Sequence, residues 1–339
     1  MYINELDEEQ RRIVINLEQH YDVWIEAKRQ EASLAYGYKW VPRDLAGGIT
    51  QEYLYELLDR AGNAKSKGAR STETEELFRK HVEKKKEVSE RLSGAAKSLA
   101  QSSGLYRSLR LPTISSEGAK ILREADIRGM LGKSLLVIGT NAIPAYSLEA
   151  GGVIKDAPDR TDDFDMSWIS TSEVGPEHAV LAMLKSVDRT YTVNTERTFQ
   201  VRNSKAHEFE LLAAPSTINS MFRQEIIKPI PLIQQEWLLM GRHVSHVVVA
   251  MDGSPARLEV PDPRYFALQK IWMSRQEDRN PLKRPKDLAQ GIAVLGAVQE
   301  AMPQFPLDDE FEAALPEPLL EIFKEWAAKY RNEIPTNKW

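Results

Sequence analysis

Cysteine is absent from the 339 residues. That excludes disulfides, thiolate zinc sites and cysteine nucleophiles, and it fits a reducing compartment. No apolar run approaches the roughly 20 residues that a membrane-spanning helix needs, so no membrane partner is expected. The opening Met1-Tyr2-Ile3-Asn4-Glu5-Leu6-Asp7 lacks the basic and apolar regions of a secretory signal. A cytoplasmic location is the expectation. Charge of one sign is also scarce. A net charge of −5 provides no global attraction to nucleic acid, so any such binding needs a local patch, and no DNA partner is expected. Internal repeats, low-complexity tracts and a Ser-His-Asp arrangement are missing too. Ala61-Gly62-Asn63-Ala64-Lys65-Ser66 lacks the glycine spacing of a phosphate loop. What is present, 42% hydrophobic and 28% charged residues, suffices for a packed core in one large domain or two.

Periodicity orders the chain. Ile13, Leu17, Tyr21 and Trp24 recur at helical spacing, predicting a helix up to about residue 35. Gly47-Gly48 and Ala61-Gly62-Asn63 flank Tyr53-Leu54-Tyr55 and suggest a small hairpin or β-meander. Ser71-Thr72-Glu73 caps a long charged helix to about Gln101. A second helix spans about Ser115 to Arg128, with Gly129 as its stop. Strands then fall at 135–139, 162–168, 190–193, 198–203 and 207–213, with helices at 141–149 and 176–187 between them. Two more strands, His243–Met251 and Arg257–Val260, flank an Asp252-Gly253 turn. Helices at 263–277, 285–302 and 317–331 close the chain. The fold class is α/β in the α+β sense: a mixed β-sheet core, 111–262, with a helical N-terminal region, 1–110, carrying a small hairpin, and a helical C-terminal region, 263–339.

The chemistry-bearing pattern begins where the apolar run Leu135-Leu136-Val137-Ile138 stops at Gly139-Thr140-Asn141-Ala142. Glycine lets backbone approach a phosphate closely, and a following helix start offers free N–H groups beside the hydroxyl of Thr140. Thr140 and Asn141 are therefore expected to hydrogen-bond phosphate oxygens. Further on, Asp163 and Asp165 are two apart on a strand and so share a face, with Phe164 turned into the core. Paired carboxylates repel unless a cation lies between them. Mg²⁺, with Mn²⁺ as its substitute, takes such oxygen ligands together with substrate phosphates. A third carboxylate must come from a neighbouring strand. In His207-Glu208-Phe209-Glu210-Leu211-Leu212, Glu208 and Glu210 share one face and Phe209 and Leu211 the other. Glu210, set mid-strand among apolar residues, is the choice over Glu208.

Together, Val137-Ile138-Gly139-Thr140-Asn141-Ala142, Thr161-Asp162-Asp163-Phe164-Asp165 and Glu208-Phe209-Glu210-Leu211-Leu212 resemble the DNA polymerase β-like nucleotidyltransferase superfamily. More narrowly, the chain is similar to a bacterial family of uncharacterised nucleotidyltransferases. That likeness extends to the stretches Lys65 to Glu75, Pro261 to Lys270 and Asp278 to Asp287, and covers roughly residues 35 to 305. Three departures stand out. Thr140 replaces a more usual Gly or Ser, Gly151 to Arg160 forms an insertion, and Glu210 occupies a position more often held by aspartate.

The resemblance implies transfer of a nucleoside monophosphate from an NTP such as ATP to an acceptor hydroxyl, with release of pyrophosphate. Asp163, Asp165 and Glu210 would serve as metal ligands and catalytic carboxylates, with Glu210 also a candidate base. It also implies a triphosphate-contacting lysine on the helix holding Lys270. Lys283, Arg284 and Lys286 are further phosphate candidates, with Asp287 as an ion-pair partner for one of these three. The acceptor stays open between a protein, tRNA or other RNA, and a small molecule. The alternatives are a degenerate module that binds nucleotide or RNA without turnover, a toxin or defence transferase, and a scaffold. Lys65, Lys67 and Arg70 read as a basic loop, either solvated or contacting phosphate, and Lys84-Lys85-Lys86 as a solvated face. His243 and His246 are discounted as metal ligands because they enter a strand with no acid adjacent in sequence.

Overall fold

The computed structural model describes residues 1–34, 36–46, 48–59, 62–158 and 163–331. Gly47, Ala61, Arg160, Thr161 and Asp162 of the sequence reading lie outside the described residues. The chain divides into two compact units, residues 19–101 and residues 1–18 with 102–339. The boundaries expected near 110 and 262 do not coincide with this division. Among the described residues no helix is long and apolar enough to cross a membrane.

Strand β1 (Ile3–Glu5) precedes helix α1 (Glu8–Ser33), in which Ile13, Leu17, Tyr21 and Trp24 are all buried, as their spacing requires. Strands β2 (Tyr38–Leu45), β3 (Ile49–Leu57) and β4 (Ala64–Ala69) form the antiparallel meander. Lys65 and Lys67 therefore lie in a strand rather than in the expected loop. Cross-strand pairing overrides the turn-like Lys-Ser-Lys-Gly composition there, and the irregularity is confined to a bulge opposite Leu54 and Tyr55. Helix α2 (Thr72–Ser108) runs past the expected end at Gln101. Its lysines and arginines pair with acids one turn away, Arg79 with Glu83, Lys80 with Glu76 and Lys86 with Glu90, which fits the solvated-face reading.

Strand β5 (Thr113–Ile114) was not foreseen. It leads to helix α3 (Ser116–Ile127), whose cap Ser115 accepts from the Gly118 N–H at 3.1 Å. The core sheet is built from β6 (Leu135–Val137), β8 (Asp163–Trp168), β9 (Thr192–Val193), β10 (Gln200–Arg202) and β11 (Glu208–Ala213), with β12 (Ile230–Pro231) on β11. Between β6 and β8 come a 3₁₀ turn over Gly139–Ala142, helix α4 (Ile143–Glu149) and β7 (Gly152–Ile154). Helix α5 (Val180–Val187) follows β8. The order β6-β8-β11-β10-β9 places β8 antiparallel to β6 and parallel to β11. Strand β1 pairs with β7, which draws the first residues of the chain into this unit.

The alternation of β11 is as expected. Phe209, Leu211 and Ala213 are completely buried, while Glu208, Glu210 and Leu212 lie on the more open face. Each fully buried large apolar side chain contributes about 1.5–3 kcal/mol. Strands β13 (Val244–Ala250) and β14 (Pro255–Val260) form the hairpin, and β5 adds to β13 in parallel. Helices α6 (Pro263–Ser274), α7 (Arg284–Ala301), α8 (Asp309–Ala314) and α9 (Glu317–Tyr330) follow; the short α8 was not expected. Helices α6 and α7 approach closely at Gly291. A Cβ there would lie 2.5 Å from Ile271 Cγ1 and 2.7 Å from the Ala267 carbonyl oxygen. That approach fixes which side chains of the two helices meet.

Candidate active site

The pairing of β8 with β11 places Asp165 opposite Glu210 and Asp163 opposite Glu208. Four carboxylates thus stand on one sheet face, two from each strand, while Phe164 and Phe209 between them are buried. Glu208 is engaged by Arg202 on β10. Glu210 accepts from Gln200 Nε2 at 2.6 Å, and its charge acts on Asp165. Burial pushes the Asp165 carboxyl up to about 7. Glu210 and Asp163 push the same way, and Lys270 and Lys283 oppose them. The carboxylates form a row across the two strands, and among the described residues no group of three or more His, Asp or Glu side chains is placed to hold a metal ion.

Gly139 closes one end of this row. Its φ is +69°, in the left-handed region that glycine adopts without strain. A Cβ on it would lie 2.5 Å from Asp165 Oδ2. The turn backbone therefore lies directly against the carboxylate, where any side chain would intrude. Thr140 and Asn141 follow in the turn and both are buried. Asn141 Nδ2 donates to the Asp163 carbonyl oxygen at 2.9 Å, tying the turn to β8. Thr140 Oγ1 accepts from Gln290 Nε2 at 3.2 Å, which leaves its O–H able to donate elsewhere.

Helices α6 and α7 supply the cations. Lys283 Nζ is 3.5 Å from Asp163 Oδ2. Lys286 is held below its usual value by burial and by the nearby charge of Lys270. Lys270 was expected to reach outward. It is instead buried, with Nζ donating to Asp287 Oδ1 at 2.9 Å, because the close α6–α7 approach encloses it. Asp287 also accepts from Arg279 Nε at 2.7 Å. Burial alone would raise the Asp287 carboxyl, but Lys270 and Arg279 hold it below the ordinary range. Asp287, expected to pair with one of Lys283, Arg284 and Lys286, is bound to Lys270 and Arg279. The positive charge of Lys270 still acts on Asp165.

Sequence reasoning missed Gln290. It lies on the α7 face that also holds Lys283, Lys286 and Asp287, at helical spacing. It is fully buried, and its Oε1 has no hydrogen-bond partner among the described residues. The spacing of three or four from Lys286 and Asp287 was the available signal. His246 gained partners that sequence proximity did not show: Nδ1 lies 2.7 Å from Glu18 Oε1 and Nε2 2.7 Å from Glu149 Oε2. Both nitrogens are taken by carboxylates.

The model of a family described as Nucleotidyltransferase matches residues 116–316, more than half of the chain. No curated protein matches the chain. Among solved structures, an antigenic nucleotidyltransferase-like protein from Paracoccidioides brasiliensis is similar at 14% identity and a TM-score of 0.35, over 67% of this chain and 97% of that one.

Proposed function

The chain belongs to that nucleotidyltransferase family, and on this premise we propose that it moves a nucleoside monophosphate from an NTP, ATP being the first candidate, to an acceptor hydroxyl and releases pyrophosphate. The observation that carries the reading is the register of Asp163 and Asp165 beside Glu210, with the Gly139 backbone packed against Asp165. The donor set is all oxygen, and burial holds one of its carboxyls near 7 beside other acids. Mg²⁺ or Mn²⁺ is usually bound by one or two carboxylates together with substrate phosphates, so Asp163, Asp165 and Glu210 would hold it when the NTP supplies the remaining oxygens. When bound, the metal would neutralise the triphosphate and align the acceptor hydroxyl with the α-phosphorus.

The remaining roles belong to the chain. Gly139 lets the triphosphate approach backbone N–H groups, and Thr140 donates its hydroxyl proton to a phosphate oxygen. Asn141 holds the Asp163 backbone in place. Lys283 and Lys286 balance phosphate charge, while Lys270 contributes through the field it exerts at Asp165. Glu210 accepts the proton of the acceptor hydroxyl.

The test incubates the purified chain with α-radiolabelled NTPs and Mg²⁺, with and without cellular RNA, beside the Asp163→Asn/Asp165→Asn variant. Label transferred to protein, RNA or a small molecule only by the unsubstituted chain supports the reading and identifies the acceptor. Mg²⁺-dependent NTP binding without transfer would support a non-catalytic binding module instead.

A further inference from the structure

The described strands of the meander carry their carboxylates on one face only. Successive strand residues point to opposite faces and cross-strand partners share one. On one face Trp40 packs on Phe78, with ring centroids 5.9 Å apart, and Tyr38 on His81, 5.0 Å apart, so α2 covers it. The strand acids Asp44, Glu52 and Glu56 belong to this face, and Glu52 and Glu56 are paired with Arg70 and Lys67. Lys67 and Arg70 of the basic stretch that suggested phosphate binding are thereby committed to carboxylates.

The other face is different. Tyr53 and Tyr55 stand two apart on the central strand, with Lys39 opposite Tyr55 and Arg43 opposite Gln51. The Arg43 guanidinium lies 5.4 Å from the centroid of each tyrosine ring. Leu45 and Ile49, paired at one end, are 41% and 65% exposed. Among the described strand residues this face carries no carboxylate.

We propose that this face binds single-stranded RNA. Two rings at i and i+2 are about 6.6 Å apart along a strand, a spacing that lets each stack on one of two successive bases. Tyrosine faces and arginine planes are the surfaces on which unpaired bases stack. Lys39 and Arg43 meet the phosphates, and the absence of acids removes repulsion of a polyanion. Charge complementarity selects nucleic acid over an apolar protein segment. RNA exposes its bases in loops and ends, whereas duplex DNA keeps them stacked and out of reach of a flat sheet. The further statement that this RNA is the acceptor rests on the proposed transfer reaction. Binding itself does not.

Fluorescence anisotropy of the full chain with a labelled oligouridine of about 12 nucleotides, without NTP, tests the proposal. Tyr53→Ala/Tyr55→Ala should weaken binding by about 30-fold or more, while Tyr53→Phe/Tyr55→Phe, which keeps the rings, should retain it. Lys39→Gln/Arg43→Gln should flatten the log–log salt slope by about 1.4, two phosphate contacts on a single strand. Asp163→Asn should bind as the unsubstituted chain does. Binding that ignores the tyrosines and the two cations overturns the proposal, as does no binding at low salt or equal binding to a blunt duplex. Binding as expected with no transfer activity would contradict the proposed reaction while leaving this surface intact.

Discussion

Gly139 and Asp287 are the two residues on which the site geometry depends most. Adding one carbon at Gly139 forces a clash with Asp165 at a positive φ. Gly139→Ala should therefore abolish NTP transfer and lower stability by about 1–3 kcal/mol, read by denaturant melts beside the transfer assay. Asp287 neutralises buried Lys270. Asp287→Ala should destabilise the fold by about 3–5 kcal/mol, and Asp287→Leu/Lys270→Met should be markedly less destabilised, as unfolding midpoints will show. The shared face of Asp163, Asp165 and Glu210 was readable because strand alternation is a local rule that residue spacing states directly. Residue spacing did not reveal that Asn141 would be spent on the Asp163 carbonyl, or that Lys270 would face inward. Those outcomes depend on how closely two elements approach, and at α6–α7 that is decided by Gly291.

At the scale of elements, β6 was legible as a continuous apolar run that stops at glycine, and β8 and β11 by the alternation of acids with buried apolar residues. Strand β4 was not, since Lys-Ser-Lys-Gly composition reads as a turn until β3 supplies its hydrogen-bond partners. The triad of His246, Glu18 and Glu149 joins β13, α1 and α4. Burial would lower the imidazole's affinity for its proton, but the hydrogen bonds and charges of Glu149 and Glu18 raise it to about 9. Arg242, 3.9 Å from Glu149, and Gln304 lie beside this group, and the charge of Glu259 also interacts with His246. A histidine raised on folding stabilises fully below its ordinary value near 6.5 and loses that contribution as pH climbs through its folded value. Thermal midpoints should therefore fall between about pH 6.5 and 9, and His246→Gln should flatten that fall. A His246→Gln curve parallel to that of the unsubstituted chain would contradict the assignment.

For the whole molecule, the fold class was readable and the long-range closures were not. Strand β1 pairs with β7, Gln290 reaches Thr140 across 150 residues, and Glu18 reaches His246 across 228. No local periodicity encodes such contacts, because each element would form its pattern whatever lies against it. Of these closures, the contact of Gln290 with Thr140 joins α7 to the Gly139 turn beside the carboxylate row. The decisive measurement compares transfer of α-label from ATP in Mg²⁺ by the unsubstituted chain and by a folded Asp165→Asn variant. Label on an acceptor, pyrophosphate in equal amount and at least a 100-fold loss in the variant, about 2.7 kcal/mol of transition-state stabilisation, are expected. Equal transfer by both proteins would contradict the proposed active site.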